Sequence, residues 1–157
     1  MDKQARLEFN RKNIAEFRSV GGRIASFGDA PVLLLTTKGA RSGLPRTSPM
    51  MYLADERNPS RVYVFASAAG RDVNPAWFSN LLASPDDLTV EIGTATASAS
   101  AEVLKEPLRS QIFAEQAARY PSFASYQART SRQIPVIALT LTAHASQPGG
   151  SSQQAPA

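Results

Sequence analysis

Strand-like and helix-like segments never alternate for long in this chain, and that restricts its fold more than any other feature. The order reads helix, three strands, helix, two strands, helix, strand. A doubly wound parallel sheet needs sustained βα repeats, so the pattern argues against it. Hairpin-linked strands with a few appended helices suit a small, mainly antiparallel barrel of the α+β class.

The segments themselves carry this order. Asp2 to Val20 reads as a helix with Leu7, Ile14 and Phe17 on one face. Lys3, Arg6, Arg11, Lys12 and Arg18 surround that stripe, and Gly21-Gly22 stops it. Pro31 to Thr37 (P-V-L-L-L-T-T) is an apolar run suited to a strand buried on both faces. Lys38 to Gly43 is a turn, and Arg46 to Leu53 a second strand interrupted by Pro49. Val62 to Ser67 makes a third. Asn74-Pro75 then predicts a helix start, Asn as N-cap and Pro in the first position, with Trp77, Phe78 and Leu81 following. Leu88 to Ile92 and Ala95 to Val103 flank Gly93-Thr94 as a hairpin, with Thr96, Ser98 and Ser100 on one face. Pro107 opens a helix to about Ala118, Tyr120 to Tyr126 follows it, and Val136 to Leu141 is the last strand. The expected organisation is a leading amphipathic helix (1–22), one barrel domain (23–143) and a disordered tail (144–157) rich in Gln, Ser, Gly and Pro.

Composition removes whole classes of chemistry. The 157 residues include no cysteine, which excludes thiolate nucleophiles, iron–sulfur clusters and cysteine zinc sites. The single histidine, His144, lies in the tail, so Ser-His-Asp catalysis and histidine metal centres are excluded, and no metal site is expected. No apolar run is long enough to span a membrane, and the N-terminus lacks a signal-like stretch. Lys and Arg number 17 against 13 Asp and Glu, and 13 of the cations are arginines, whose planar fork suits phosphate and carboxylate. The hard chemistry therefore belongs to a bound cofactor, or there is none.

Three stretches carry functional candidates, each with a plainer structural reading. In Leu34 to Pro49 (L-L-T-T-K-G-A-R-S-G-L-P-R-T-S-P) two glycines four apart let backbone N–H groups converge, with Lys38, Arg41, Ser42 and Arg46 adding donors. It is either an anion cradle or a solvated hairpin tip, and its spacing is not that of a P-loop. Ser67 to Asn80 combines a small-residue strand end with a helix start, suited to an anion or an aromatic ring. Trp77 there reads as core before it reads as a ligand contact. Tyr120, Phe123 and Tyr126 recur every three residues on one helical face, as core or as a pocket wall. Carboxylates are scattered, so no paired acid–base set is present.

Together, L-L-T-T-K-G-A-R-S-G-x-P-R-T-S-P, A-S-A-A-G, N-P-A-W-F-S-N-L and Y-P-S-F-A-S-Y-Q resemble the deazaflavin-dependent nitroreductase family. The four motifs stand in family order across about Asn10 to Leu141. The resemblance implies a split β-barrel, FMN-binding-like in fold, that binds coenzyme F420 (8-hydroxy-5-deazaflavin) and passes its hydride to a quinone, nitroaromatic or enone acceptor. It implies Lys38, Ala40, Arg41, Ser42 and Arg46 at the cofactor's phosphate and acidic tail. It places Thr47, Ser48, Pro49, Met50 and Met51 along the ring system, and Phe65, Ala66, Ser67 and Ala68 on another wall. Ala76, Trp77, Phe78, Ser79 and Asn80 form the neighbouring helix. Tyr120, Phe123 and Tyr126 close the acceptor pocket, with Tyr126 or Tyr120 orienting or protonating the acceptor.

Two departures matter: Ala40 stands where a second basic residue is frequent, and Ala68 where lysine is. Phe123 also lacks a phenol hydroxyl common at that position. The rival readings are an FMN-dependent oxidase on a similar barrel and a non-enzymatic module for a lipid or haem-like ligand. Dispersed basic residues speak against nucleic acid. The expected setting is cytoplasmic, as monomer or homodimer, with the basic first helix suited to peripheral contact with the anionic inner face of the plasma membrane.

Overall fold

The computed structural model describes residues 2–142. The expectation for the tail, His144 included, lies outside the described residues. The first helix, α1 (Lys3–Ser19), starts at an Asp2 cap whose carboxylate accepts the Ala5 N–H at 2.7 Å. It ends at Gly21 and Gly22, both with positive φ. A Cβ on Gly22 would stand 2.5 Å from the Gly93 Cα, so this turn packs backbone to backbone against a later hairpin.

The strands are β1 (Val32–Lys38), β2 (Pro45–Met51), β3 (Leu53–Ala54), β4 (Arg61–Phe65), β5 (Leu88–Ile92), β6 (Ala95–Val103) and β7 (Val136–Leu141). All pair antiparallel in one sheet ordered β2-β1-β5-β6-β7-β4-β3. The two edge strands, β2 and β3, are consecutive in the chain and separated by Tyr52 alone. A sheet whose edges are joined by one residue has to curl until they meet. The edges meet through the chain but do not pair, and the barrel is therefore split.

Alternation along the strands sorts the core into layers. Leu33, Leu35, Val62, Val64, Val90, Ile137 and Leu139 fill the interior, where α2 (Ala76–Ala83) inserts Phe78 and Leu81. On the outer face Tyr63, Phe65, Val136 and Ala138 lie under α3 (Leu108–Arg119) and α4 (Ser122–Ala128). Val32 and Leu34 lie under Phe17 of α1 and Ile24. Helices outside and barrel inside bury both faces of β1, which explains its unbroken apolar run; each such side chain contributes about 1.5–3 kcal/mol. The outer face of β6 has no such cover, and Ser98 and Ser100 are exposed there.

Three local expectations need correction. The apolar stripe of α1 is buried only in its second half: Phe17 is buried but Leu7 is 48% exposed, and Asn13 takes an inward position. Asn74 does not cap α2. The cap is Pro75, because the Asn74 side chain accepts a hydrogen bond from Arg132 instead. Tyr120 is the extended C-cap of α3, so it does not share a helical face with Phe123 and Tyr126, which lie three apart on α4.

Candidate active site

The turn after β1 is closed by its own backbone. Gly39 N–H donates to Leu44 C=O and Gly43 N–H to Gly39 C=O, both at 2.8 Å. The Leu44 N–H donates to Ser42 Oγ at 3.1 Å, which leaves the Ser42 hydroxyl proton free. Asn80 of α2 anchors the turn, accepting the Ala40 N–H at 3.0 Å and donating to Thr37 Oγ1 at 3.3 Å. Lys38, Arg41 and Arg46 are all exposed, and none is in an ion pair among the described residues. Three uncompensated cations on one turn, beside a free hydroxyl, have the chemistry to attract an anion.

β2 runs from this turn to an aromatic cavity of about 510 Å³. Met51, Tyr120, Ser122 and Tyr126 line it together with Phe9, Phe27 and Asp29 from the segment before β1. The hydroxyls of Tyr120 and Tyr126 make no hydrogen bond among the described residues, so both are available as donors. Arg46 and Met51 are five residues apart on an extended strand, about 17 Å. Five is an odd offset, so the two side chains leave the strand on opposite faces: Met51 lies on the outer face beside the cavity, and Arg46 on the face of the interior Met50.

The third component is the loop after β4. Ala66 is buried, Ser67 and Ala68 are half-buried, and Ala68 and Ala69 both have left-handed backbones, φ +47° and +53°. Arg132 secures it. Its Nη1 donates to Ala66 C=O at 3.1 Å and Asn74 Oδ1 at 2.8 Å, its Nη2 to Ser67 C=O at 2.8 Å, and its Nε to Arg71 C=O at 2.9 Å. Arg129 donates to Ala69 C=O at 3.3 Å and lies over the Tyr126 ring. Gln127 of α4 donates to Arg132 C=O at 2.7 Å and accepts from Ile134 N–H and from the buried Arg109. Burial pushes the Arg109 and Arg132 guanidinium groups down from their ordinary values.

The structure thus brings Lys38, Ala40, Arg41, Ser42, Arg46 and Asn80 together at one end, and Met51, Tyr120 and Tyr126 at the other. Thr47, Ser48 and Pro49 lie half-buried between them, the Thr47 hydroxyl paired with that of Thr36 at 2.8 Å. Ala76 and Ser79 are exposed on α2, and Trp77 packs edge-on to Phe78. Five expected site residues are core instead. Met50, Ala66 and Phe78 belong to the barrel interior, and Phe65 and Phe123 to the outer cluster. Phe123 is 5% exposed, edge-on to Phe65 and Tyr126, and does not line the cavity. Sequence reasoning missed Phe9, Phe27 and Asp29, whose only signal was their placement before the first strand. It also missed Arg129 and Arg132, which nothing in their local pattern distinguished.

The sequence pattern of the family described as F420H(2)-dependent quinone reductase matches residues 9–141, a span that includes the basic turn, the arginine-secured loop and the tyrosines. The chain belongs to the F420H(2)-dependent quinone reductase family. The F420H(2)-dependent quinone reductase Rv1261c of Mycobacterium tuberculosis is 31% identical over 148 residues, 89% of this chain and 95% of that one. A solved F420-H2 dependent reductase superposes with a TM-score of 0.61 at 32% identity, covering 69% of this chain and 93% of its own. Another solved relative, a domain-swapped dimer, gives 0.63 at 28% identity and covers 88% and 99% respectively. Among the described residues no helix is long and apolar enough to cross a membrane, and no cluster of His, Cys, Asp and Glu could hold a metal ion.

Proposed function

We infer that this protein is an F420-dependent oxidoreductase that reduces an apolar conjugated acceptor of the quinone class, with nitroaromatics and enones as further acceptors. The observation that carries the reading is the family match over residues 9–141, a span that holds the uncompensated Lys38, Arg41 and Arg46 and the Tyr120–Tyr126 cavity. When bound, the reduced deazaflavin supplies the hydride, and the protein supplies placement and electrostatics.

In this reading Arg41 and Arg46 neutralise the anionic tail, with Ser42 donating its hydroxyl and Asn80 fixing the turn. Thr47, Ser48, Pro49 and Met51 contribute one wall of the ring site, and Ser67 with Ala68 the other. Lys38 offsets the absence of a cation at Ala40 and Ala68. Tyr120 and Tyr126 orient the acceptor through their free hydroxyls, and either one can deliver a proton to a reduced oxygen. Phe9 and Phe27 stack on the acceptor from the α1 side and exclude water. Hydride transfer needs about 3–3.5 Å between reacting atoms, and holding the ring against the acceptor is what this placement would supply. The functional unit is one barrel domain with α1 as its cover.

Titration with coenzyme F420 and, separately, with flavin mononucleotide tests the reading by fluorescence quenching. Saturable F420 binding supports it. Binding of flavin mononucleotide alone favours an oxidase, and binding of neither favours a non-enzymatic module. A peripheral membrane role for α1 draws on Leu7 and Phe9, which stay exposed beside Lys3 and Lys12. Flotation with anionic liposomes at low salt decides it, since a protein that stays at the bottom has no such role. Sedimentation of the purified chain separates monomer from homodimer.

A further inference from the structure

The loop from Ala66 to Asn74 is held in an unusual way. Its carbonyls at Ala66, Ser67 and Arg71 all accept from the single guanidinium of Arg132, and Asn74 gives that group a fourth acceptor. The Ala69 carbonyl accepts from Arg129, and the Ala68 carbonyl from the Arg71 side chain at 3.3 Å. The N–H groups of Ser67, Ala68 and Ala69 have no partner among the described residues. The loop's acceptors are therefore tied back by arginines while three successive donors stay unused. Ser67 is right-handed and Ala68 left-handed, an alternation that gathers successive N–H groups toward one point.

Such a backbone is unfavourable for alanine. The left-handed region crowds any Cβ, and two alanines in a row hold it here. Neither is glycine, so the conformation has to be imposed from outside. Arg132 is the group placed to do so, since its planar fork spans acceptors on both sides of the strained pair. Lysine at this position would keep the charge but could not reach four acceptors in fixed directions.

We propose that Arg132 is a positioning residue for the cofactor wall: it imposes the left-handed turn at Ala68-Ala69 and so holds the Ser67, Ala68 and Ala69 N–H groups as donors to an oxygen of the bound deazaflavin. The identity of the ligand rests on the function proposed above; the way the loop is held does not. Arg132 touches no ligand and acts through the backbone it fixes.

The test uses Arg132→Lys, Ala69→Gly and the double variant in the full chain. Arg132→Lys should weaken F420 binding by about tenfold or more, from the lost charge-assisted contacts. Ala69→Gly added to it should restore a measurable part of that loss without restoring a single contact, because glycine removes the strain at one of the two left-handed positions. Hydrogen exchange gives a readout that needs no cofactor. The Gly70 and Arg71 amides, bonded to the Ser67 and Ala68 carbonyls at 2.8 and 3.1 Å, should exchange faster in Arg132→Lys and slow again in the double variant. Unchanged affinity and exchange in Arg132→Lys would overturn the proposal, as would a double variant that recovers neither. If Arg132→Lys fails to fold, a double variant that folds supports the proposal and one that stays unfolded overturns it. A wild-type chain that binds no F420, with exchange responding as described, removes the cofactor reading and leaves Arg132 as the loop's anchor only.

Discussion

A Cβ on Gly70 would stand 2.7 Å from the Tyr126 carbonyl oxygen and 2.9 Å from the Tyr126 Cα. The loop after β4 and the helix carrying the cavity tyrosine are therefore in backbone contact, with no side chain between them to yield. Gly70 also has φ +81°. Gly70→Ala must move one of the two segments and strain the other, at a cost of about 1–3 kcal/mol. Chemical denaturation should show that loss, and the remaining folded enzyme should show altered acceptor kinetics as Tyr126 shifts. An unchanged midpoint would mean that the two segments separate freely.

Phe123 makes edge-on contacts with Phe65, Phe113 and Tyr126 in the outer cluster. Phe123→Ala should therefore act as a core truncation, costing about 3–5 kcal/mol. Thermal melts will show a large fall. Steady-state rates per folded molecule should change little, and a raised Michaelis constant at normal stability would return Phe123 to the pocket.

Arg41 and Arg46 have no carboxylate to satisfy, so their removal leaves no protein group unpaired. Each alanine substitution should leave stability near wild type and weaken F420 binding by about ten- to a hundredfold, as a charge-assisted contact of 1.5–3 kcal/mol implies. The loss should shrink at high salt. Undiminished affinity at low salt in both variants excludes the turn as the tail site.

Two carboxylates link the stability of the fold to acid. The Arg57 N–H and the Tyr63 hydroxyl, each at 2.9 Å, hold Asp55 below the ordinary carboxylate value. The Ser110 hydroxyl and N–H do the same for Glu106, helped by Gln133. Both groups have depressed folded-state pKa values, so their stabilisation is complete above about pH 4–4.5 and fades as pH falls through the folded values. Melting temperature should be level from neutral pH to about 5 and decline below about 4. Asp55→Asn should flatten part of that decline, and an identical profile would remove Asp55 from the account.

Sequence periodicity exposed what depends on near neighbours. The β5–β6 hairpin follows from Gly93-Thr94, and the two-sided burial of β1 from four consecutive apolar residues. The basic turn was visible because its glycines and cations are contiguous. What stayed hidden depends on partners far along the chain. Asn74 has the chemistry of an N-cap, but Arg132, 58 positions away, takes its oxygen. Phe123 and Tyr126 carry the same local signal, and only the packing of α4 on Phe65 sends one inward. Phe9 comes to the cavity rim on α1, whose far end meets the sheet where Arg18 bonds Glu91 at 2.8 and 3.1 Å, 73 positions along the chain.

The joint at Tyr52 has a bearing on how this molecule behaves in a crowd. An open sheet ends in rows of unpaired amides and carbonyls that can template a strand from another molecule, the route to fibrils. Here the two rims are brought face to face by a single residue, and β3 is only two residues long. β2 carries Pro45 and Pro49, which have no amide hydrogen to offer. A strand can thus leave its side chains open to a small ligand while giving a passing chain little to zip onto, so concentrated solutions should be spared cross-β association for as long as that joint stays intact.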